Sequence, residues 1–227
     1  TPQSLLPGSY TVSETGLSGY SASFSGDCDT NGKVTLAAGE NKTCTITNDD
    51  QPATLIVKKV VVNDNGGMKK AENFVFSVNA GAPVSFETDG QNDLSVAAGT
   101  YNVTEPAVSG CATTYDNCKD NIVPNGGTAT CTITNDDIAP KLTLNKSVMN
   151  DNGGNASASD WKLSASNSGY SDSFSGQGPT VGPNTITAGV EYTLEEANGP
   201  SGYSASQWSC DGGTLTGNIL KLGLADN

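Results

Sequence analysis

A lysine, a glutamate and an asparagine carry the chemistry that this 227-residue sequence offers. Lys59 supplies an amine, Asn135 supplies a carboxamide, and Glu105 supplies a carboxyl group that can accept and return a proton. A desolvated, uncharged lysine amine can attack a carboxamide carbon while a neighbouring acid polarises the carbonyl and protonates the departing ammonia. The product is a Lys–Asn isopeptide bond. Because this self-modification happens once, the sequence predicts no enzyme.

Alternation along three short segments places these side chains on the apolar faces of their strands, since residues two apart share a face. The inward-facing sets are Leu55, Val57, Lys59 and Val61; then Tyr101, Val103 and Glu105; then Cys131, Ile133 and Asn135. A buried charge without a partner is costly, so such groups either shift their pKa or pair. The alternative to the covalent bond is a buried, hydrogen-bonded Lys–Glu–Asn network.

Three recurring motifs define an internal repeat of about 87 residues. The copies are Asn-Asp-Asn-Gly-Gly at 63–67 and 150–154, Cys-Thr-Ile-Thr-Asn-Asp-Asp at 44–50 and 131–137, and Tyr-x-x-x-Glu at 10–14, 101–105 and 192–196. The repeat predicts three domains. Residues 1–50 are the C-terminal part of a β-sandwich repeat, residues 51–137 are a complete repeat, and residues 138–227 are a repeat lacking its last strand. The chain therefore resembles a window on a longer array.

The partial repeats contain incomplete copies of the reactive set. Glu14 and Asn48 lack a lysine, whereas Lys146 and Glu196 lack an asparagine. In a head-to-tail variant, Asn48 of one chain would bond to Lys146 of the next. Joining the two ends would, however, duplicate the Tyr-x-x-x-Glu strand.

The alternation of apolar and polar residues has a period of two throughout, and Asn-Gly, Gly-Gly and Asp-Gly pairs separate the segments. This pattern predicts an all-β protein built from tandem immunoglobulin-like or transthyretin-like β-sandwich repeats. No apolar stretch is long enough to span a membrane as a helix.

In the order and parity of its motifs, the sequence resembles the collagen-adhesin B-type and major-pilin-type domains of bacterial surface proteins, which have a prealbumin-like, or transthyretin-like, sandwich. In that family a first-strand lysine, the glutamate of a Tyr-x-x-x-Glu strand and a last-strand asparagine form an autocatalytic isopeptide bond. The resemblance implies that Lys59 and Asn135 are bonded and that Glu105 is the catalyst.

The six cysteines show no Cys-x-x-Cys spacing and indicate disulfides, hence an exported protein. Cys28 with Cys44 and Cys118 with Cys131 occupy equivalent places and are the natural pairs. Cys210 corresponds to Cys28. Cys111 is the odd thiol of the middle repeat, either a small buried residue or a competitor of Cys118 for its partner.

The net charge of −13 and the absence of histidine exclude several classes of function. An acidic chain without a basic run offers no surface for nucleic acid or an anionic membrane. Histidine-dependent nucleophiles and histidine-bearing zinc sites are excluded as well. Calcium at the acidic junctions is the one cofactor to consider, although Asn-Asp-Gly loops also form tight turns without metal. The candidate ligands are Asp49, Asp50, Asp64, Asp136, Asp137 and Asp151.

The sequence therefore predicts a structural stalk or fibre module of a bacterial surface protein or filament, outside the cell. Its expected partners are neighbouring repeats of the same or an identical chain, with self-assembly into a filament. The alternative is an adhesin repeat that binds a host, matrix or neighbouring-cell ligand. Similar faces on all repeats would favour the stalk, and one aberrant loop would favour binding.

Overall fold

The computed structural model describes residues 2–226, and the regular secondary structure in this part of the chain is almost entirely short β-strands. Residues 2–50 form β1 (Gly8–Thr11), β2 (Tyr20–Gly26), β3 (Lys33–Leu36) and β4 (Cys44–Asp50). The middle repeat forms β5 (Ala53–Val62), β6 (Val75–Val78), β7 (Val84–Ser85), β8 (Gln91–Val96), β9 (Gly99–Tyr101), β10 (Val103–Thr104), β11 (Cys111–Asp116), β12 (Asn121–Val123) and β13 (Thr128–Asp137). The third repeat forms β14 (Lys141–Asn145), β15 (Lys162–Ser166), β16 (Phe174–Gln177), β17 (Thr180–Thr185), β18 (Glu191–Ala197), β19 (Thr214–Thr216) and β20 (Ile219–Lys221). Two single-turn 3-10 helices, Ala71–Asn73 and Ala158–Asp160, complete the described elements, and no helix among them could span a membrane.

The middle repeat is a two-sheet sandwich in which the first and last strands are neighbours in the same sheet. One sheet has the order β11-β13-β5-β8, the facing sheet has the order β10-β6-β7, and β9 pairs with β12 at one end. The pairing of β13 with β5 is parallel and places Ile133 opposite Lys59. Burial alternates along both strands, as their sequence pattern predicts. The core between the sheets contains Ala53, Leu55, Val57, Phe74, Phe76, Phe86, Val103, Cys118, Val123, Cys131 and Ile133.

The third repeat has its own core, but its strands pair differently from those of the middle repeat. Strand β14 pairs with β17, and the other sheet has the order β16-β15-β18-β20-β19. Among residues 2–226, β14 has no strand partner on the edge where β5 binds β13. Residues 203–210, which correspond to β11, contain no strand, because β11 depends on β13 for its hydrogen bonds. The core contains Leu142, Leu144, Leu163, Ala165, Val181, Ile186, Tyr192, Leu194, Leu220 and Leu222.

Residues 2–50 form two small sheets, β1 with β3 and β2 with β4. Within this segment Cys28 is the only hydrophobic residue that is buried. Strand β4 has the sequence of the end of β13, yet most of its residues are exposed because no equivalent of β5 covers it within the described residues. The all-β prediction is confirmed.

A buried tyrosine organises the core of the third repeat. The hydroxyl of Tyr192, a fully buried residue, donates a hydrogen bond to Oδ2 of Asp172 at 2.5 Å and accepts one from the backbone N–H of Thr187 at 3.0 Å. Burial and the hydrogen bond to the Asp172 carboxylate raise the pKa of Tyr192 from 10.0 to about 12. The neutral phenol is therefore the form that the folded repeat stabilises.

This network predicts that the third repeat loses stability at alkaline pH. Because the folded pKa is the higher one, the contribution of Tyr192 is complete below pH 10.0 and is lost as the pH rises through about 12. Both tryptophans, Trp161 and Trp208, lie in this repeat, so their fluorescence follows its denaturant-induced unfolding. Tyr192→Phe should be less stable at neutral pH but should decline less over this window. An identical decline in both proteins would contradict the assignment.

Candidate functional site

The middle repeat brings Lys59, Glu105 and Asn135 together in its core. The ammonium Nζ of Lys59 donates to Oε2 of Glu105 and to Oδ1 of Asn135. The side chains of Lys59 and Glu105 have no exposed surface, and Asn135 is fully buried. An amine, a carboxyl group and a carboxamide therefore meet in a site without access to bulk water.

The two prospective reactants lie on hydrogen-bonded neighbouring strands, and the acid reaches them from the opposite sheet. Lys59 lies on β5 and Asn135 on β13, whose parallel register is continuous through this region. Glu105 directly follows β10. Its backbone N–H donates to the hydroxyl of Tyr115 on β11, and this hydroxyl also lies 3.3 Å from its carbonyl oxygen. Tyr115 thus fixes the backbone of the acid relative to the sheet that carries the lysine and asparagine.

Aromatic rings form the apolar wall around the lysine amine. Nζ of Lys59 lies 4.0 Å from the ring centroid of Phe74 and 5.4 Å from that of Phe86. Burial lowers the pKa of Lys59 below its ordinary value, although the hydrogen bond and charge of Glu105 act in the opposite direction. The lower pKa favours the uncharged, nucleophilic amine.

Two further polar features complete the site. Nδ2 of Asn135 donates to Oγ1 of Thr113 at 3.1 Å, which fixes the orientation of the carboxamide. Oε1 of Glu105 is buried without a hydrogen-bond partner. Leaving a buried acceptor unpaired costs free energy.

Four residues of this site were missed from sequence: Phe74, Phe86, Thr113 and Tyr115. The repeat contained a signal for one of them, because Trp161 stands 87 residues after Phe74. In the third repeat Nζ of Lys146 lies 4.8 Å from the centroid of Trp161. An aromatic ring next to the lysine thus recurs in both repeats that contain the lysine.

The partial repeats each assemble two of the three groups. Nζ of Lys146 lies 2.7 Å from Oε2 of Glu196, with the two side chains 15% and 22% exposed. In the first segment Nδ2 of Asn48 donates to Oε2 of Glu14 at 3.2 Å, and both residues are exposed. The glutamate therefore contacts whichever reactant its segment contains.

The structure contains the two disulfides Cys28–Cys44 and Cys118–Cys131. Cys111 and Cys210, the remaining cysteines, are unpaired within the described chain. Cys111 is half-buried at the start of β11, and Cys210 is exposed.

Three of the acidic candidates for calcium lie close together. Carboxylate oxygens of Asp64, Asp136 and Asp137 fall within 4.8 Å of one another, whereas Asp49, Asp50 and Asp151 are not part of this group. The Asp137 oxygens accept hydrogen bonds from the backbone N–H groups of Asp64, Asn65 and Gly67. These donors use the lone pairs that a cation would need, so a metal is not required to explain the burial of Asp137. Calcium binding by the acidic junctions stays a prediction.

The fold and its inward-facing polar residues define the class of the protein as tandem all-β sandwich domains. The chain belongs to the family described as prealbumin-like fold domain (SpaA_2), which matches residues 1–46, 50–134 and 137–227. The resemblance inferred from the motifs is thereby confirmed. No curated protein matches the chain.

Two solved structures resemble parts of the chain at low sequence identity. The Bacillus anthracis TIE protein is 18% identical with a TM-score of 0.48, over 86% of this chain and 36% of that protein. The pilus adhesin SpaC from Lactobacillus rhamnosus GG is 14% identical with a TM-score of 0.32, over 76% of this chain and 24% of that protein. The chain thus corresponds to about a third and about a quarter of their respective lengths.

Proposed function

We propose that this chain is a segment of an extracellular stalk or fibre of a bacterial surface protein or filament, whose complete repeats are closed by an autocatalytic isopeptide bond. The observation that carries the proposal is the buried contact of Lys59 with both Glu105 and Asn135 on neighbouring strands. Membership of the prealbumin-like family supports the same conclusion.

The proposed reaction needs only the groups present in the core. A proton moves from the Lys59 ammonium to Glu105, and the neutral amine attacks Cγ of Asn135. Glu105 returns the proton to the carbonyl oxygen in the tetrahedral intermediate, then takes a proton from the attacking nitrogen and passes it to the leaving nitrogen. As the intermediate collapses, Glu105 accepts the hydroxyl proton, the amide forms between Nζ and Cγ, and ammonia leaves and takes up that proton as an ammonium ion. The lysine ammonium and the carboxamide are thus converted into an amide and an ammonium ion, and Glu105 is regenerated.

The location of this bond is suited to a load-bearing module. Strand β5 begins just after the first junction, and β13 ends just before the second. A covalent link between Lys59 and Asn135 would carry tension directly from one to the other. The intervening segment of the repeat, which spans a separation of 76 residues, would then be shielded from extension.

The cysteine chemistry supports a location outside the cytoplasm, because structural disulfides persist in oxidising compartments. The reaction modifies the chain itself and turns over once, so it does not make the protein an enzyme. The adhesin alternative stays a prediction.

Intact mass spectrometry tests the proposal. After reduction of the disulfides, the chain should be lighter than its sequence mass by one ammonia. The variants Lys59→Ala, Glu105→Ala and Asn135→Ala should have their full masses, whereas Lys58→Ala, which changes the exposed neighbour, should retain the loss. Succinimide formation at Asn–Gly sites also releases ammonia, so peptide mapping must find Lys59 and Asn135 in one cross-linked species. An unshifted mass, or the same loss in Lys59→Ala, would falsify the proposal.

A further inference from the structure

The recurring Asn-Asp-Asn-Gly-Gly motif forms a loop, residues 63–67, that wraps the last residue of its own repeat. We call it the junction loop. The backbone N–H groups of Asp64 and Asn65 lie 3.0 Å from Oδ1 of Asp137, and that of Gly67 lies 2.6 Å from Oδ2. Asp137 is only 4% exposed. Since hydrogen bonds to a carboxylate are among the strong ones, the junction loop is fixed to the end of β13.

The junction loop also contacts the next repeat directly. The carbonyl of Asn65 accepts a hydrogen bond from the backbone N–H of Ala188 at 2.9 Å. The adjoining Gly66 has φ +97°, and a Cβ on it would overlap the carbonyl oxygen of Ala188. Both the conformation and the close approach therefore require glycine at this position. One side of the loop thus holds Asp137, and the other meets the third repeat.

Ile138, in the three-residue connection between β13 and β14, is hydrogen-bonded to both repeats. Ile138 donates its N–H to the carbonyl of Gly110 in the middle repeat at 2.9 Å. Its carbonyl accepts from the N–H of Ala225 in the third repeat at 2.9 Å. A residue hydrogen-bonded to both neighbours cannot serve as a free hinge.

The first junction uses the same scheme. Gln51, 87 residues before Ile138, donates its N–H to the carbonyl of Gly19 at 2.8 Å. Its carbonyl accepts from the N–H of Gly126 at 3.2 Å. Two junctions with the same backbone pairing indicate one inter-repeat geometry that propagates along the array.

The chain contains internal comparisons that isolate the role of the junction loop. Gly153 is the counterpart of Gly66 in the third repeat and has a similar φ of +86°, but no other atom lies within 4 Å of its Cβ position. Asp50 is the counterpart of Asp137, and it is exposed in the segment 2–50, which contains no junction loop. The aspartate is therefore buried where the junction loop is present and exposed where it is absent. In the middle repeat, which precedes another repeat in this chain, the glycine lies against other atoms, but in the third repeat it does not.

We propose that the junction loop is a docking surface for the next repeat of the chain, and that it holds successive repeats in one fixed orientation. The partner is a second prealbumin-like repeat that presents the backbone around Ala188. The inference deepens the proposed stalk function by assigning the source of stiffness, but the geometry does not depend on the isopeptide bond. In the absence of such an interface, linked domains are expected to move relative to one another.

The orientation can be measured as a distance distribution between two spin labels by pulsed electron paramagnetic resonance. The labels are placed through Lys58→Cys on β5 and Lys162→Cys on β15, both exposed, in a Cys111→Ser, Cys210→Ser background. The parent should give one narrow distribution. Gly66→Ala should roughly double its width, since the docked state no longer fits. Gly153→Ala introduces a side chain at a similar positive φ but without a steric overlap, so it should leave the width unchanged.

A second variant keeps the proposal testable if Gly66→Ala does not fold. Asp137→Asn preserves the shape of the side chain but removes the charge that holds the loop, and it should also broaden the distribution. A broad distribution in the parent, or equal widths for Gly66→Ala and Gly153→Ala in folded protein, would overturn the proposal. The intact mass of the same samples reports separately on the isopeptide bond, so the two proposals can fail independently.

Discussion

Replacing Lys59 by alanine is expected to lower the unfolding free energy of the middle repeat by about 4–5 kcal/mol or more. The isopeptide bond would join positions 76 residues apart in sequence. In the chain-entropy description, a cross-link closing a loop of this length removes about 4.5 kcal/mol of conformational freedom from the unfolded state. The variant also leaves the buried Glu105 carboxyl without the N–H donor that the isopeptide would provide, which adds to the loss.

A substitution of Glu105 tests the contribution of the isopeptide bond while both bonding residues, Lys59 and Asn135, stay in place. Glu105→Gln retains the size and most of the hydrogen bonding of the side chain but cannot shuttle protons, so the chain should fold without forming the bond. Its loss of stability should therefore be at least the cross-link contribution of about 4.5 kcal/mol, because the unbonded Lys59 amine also loses its carboxylate partner. Lys58→Ala is the matched control because the residue is adjacent, of the same type and exposed.

These differences in unfolding free energy can be measured by a denaturant titration that is monitored through hydrogen exchange in the middle repeat. Tryptophan fluorescence is unsuitable because both tryptophans lie in the third repeat. If Lys59→Ala and Lys58→Ala unfolded at the same denaturant concentration, the lysine would make no net contribution, and the bond would be absent. A Glu105→Gln chain that still loses ammonia would show that the glutamate is not the proton carrier.

The positions of Lys59 and Asn135 on the inner face could be predicted because strand parity is a local property. Apolar neighbours two residues away mark the inner face, and the burial along β5 and β13 follows that pattern. The repeat period then supplied the equivalents Lys146 and Asn48. The alternation could not indicate that β13 runs parallel to β5, because pairing between distant strands depends on the whole topology.

The role of Asp137 could not be predicted for a different reason. Sequence pattern counted it among calcium ligands because carboxylates cluster at the junction. Its hydrogen-bond donors are backbone N–H groups of a loop about 70 residues earlier in the chain. Backbone groups carry no sequence signature of their own, so only the three-dimensional arrangement reveals that they surround this carboxylate. The walls formed by Phe74 and Phe86 were missed similarly, because apolar residues in a core have no distinguishing spacing.

A synthetic peptide with the sequence of residues 128–137 is expected to become covalently attached to Lys146. Among the described residues, β14 is hydrogen-bonded on one edge only, whereas β5 is paired on both of its edges, one of them with β13. The Lys146 amine already contacts Glu196 at 2.7 Å, so the peptide would supply the missing asparagine. Strand addition to an open sheet edge provides backbone hydrogen bonds that align the peptide.

The adduct should have the combined mass of chain and peptide less one ammonia, and it should survive boiling in detergent. Reducing conditions are needed because the cysteine of the peptide could otherwise form a disulfide with Cys210. A peptide with alanine at the position of Asn135, and a chain with Lys146→Ala, should both give no adduct. Absence of an adduct at saturating peptide, or its formation with either control, would contradict the prediction.

The exposure of the Lys146–Glu196 site determines how the rate of this reaction should depend on peptide concentration. The side chains of Lys146 and Glu196 are 15% and 22% exposed, whereas those of Lys59 and Glu105 are fully buried. Water that reaches the open site hydrates the Lys146 amine and weakens its interaction with Glu196. The peptide must therefore exclude this water as it binds, and the bond should form only after the strand is seated. We accordingly expect the rate to saturate with peptide concentration, and a strictly linear dependence up to the solubility limit would argue against this order of events.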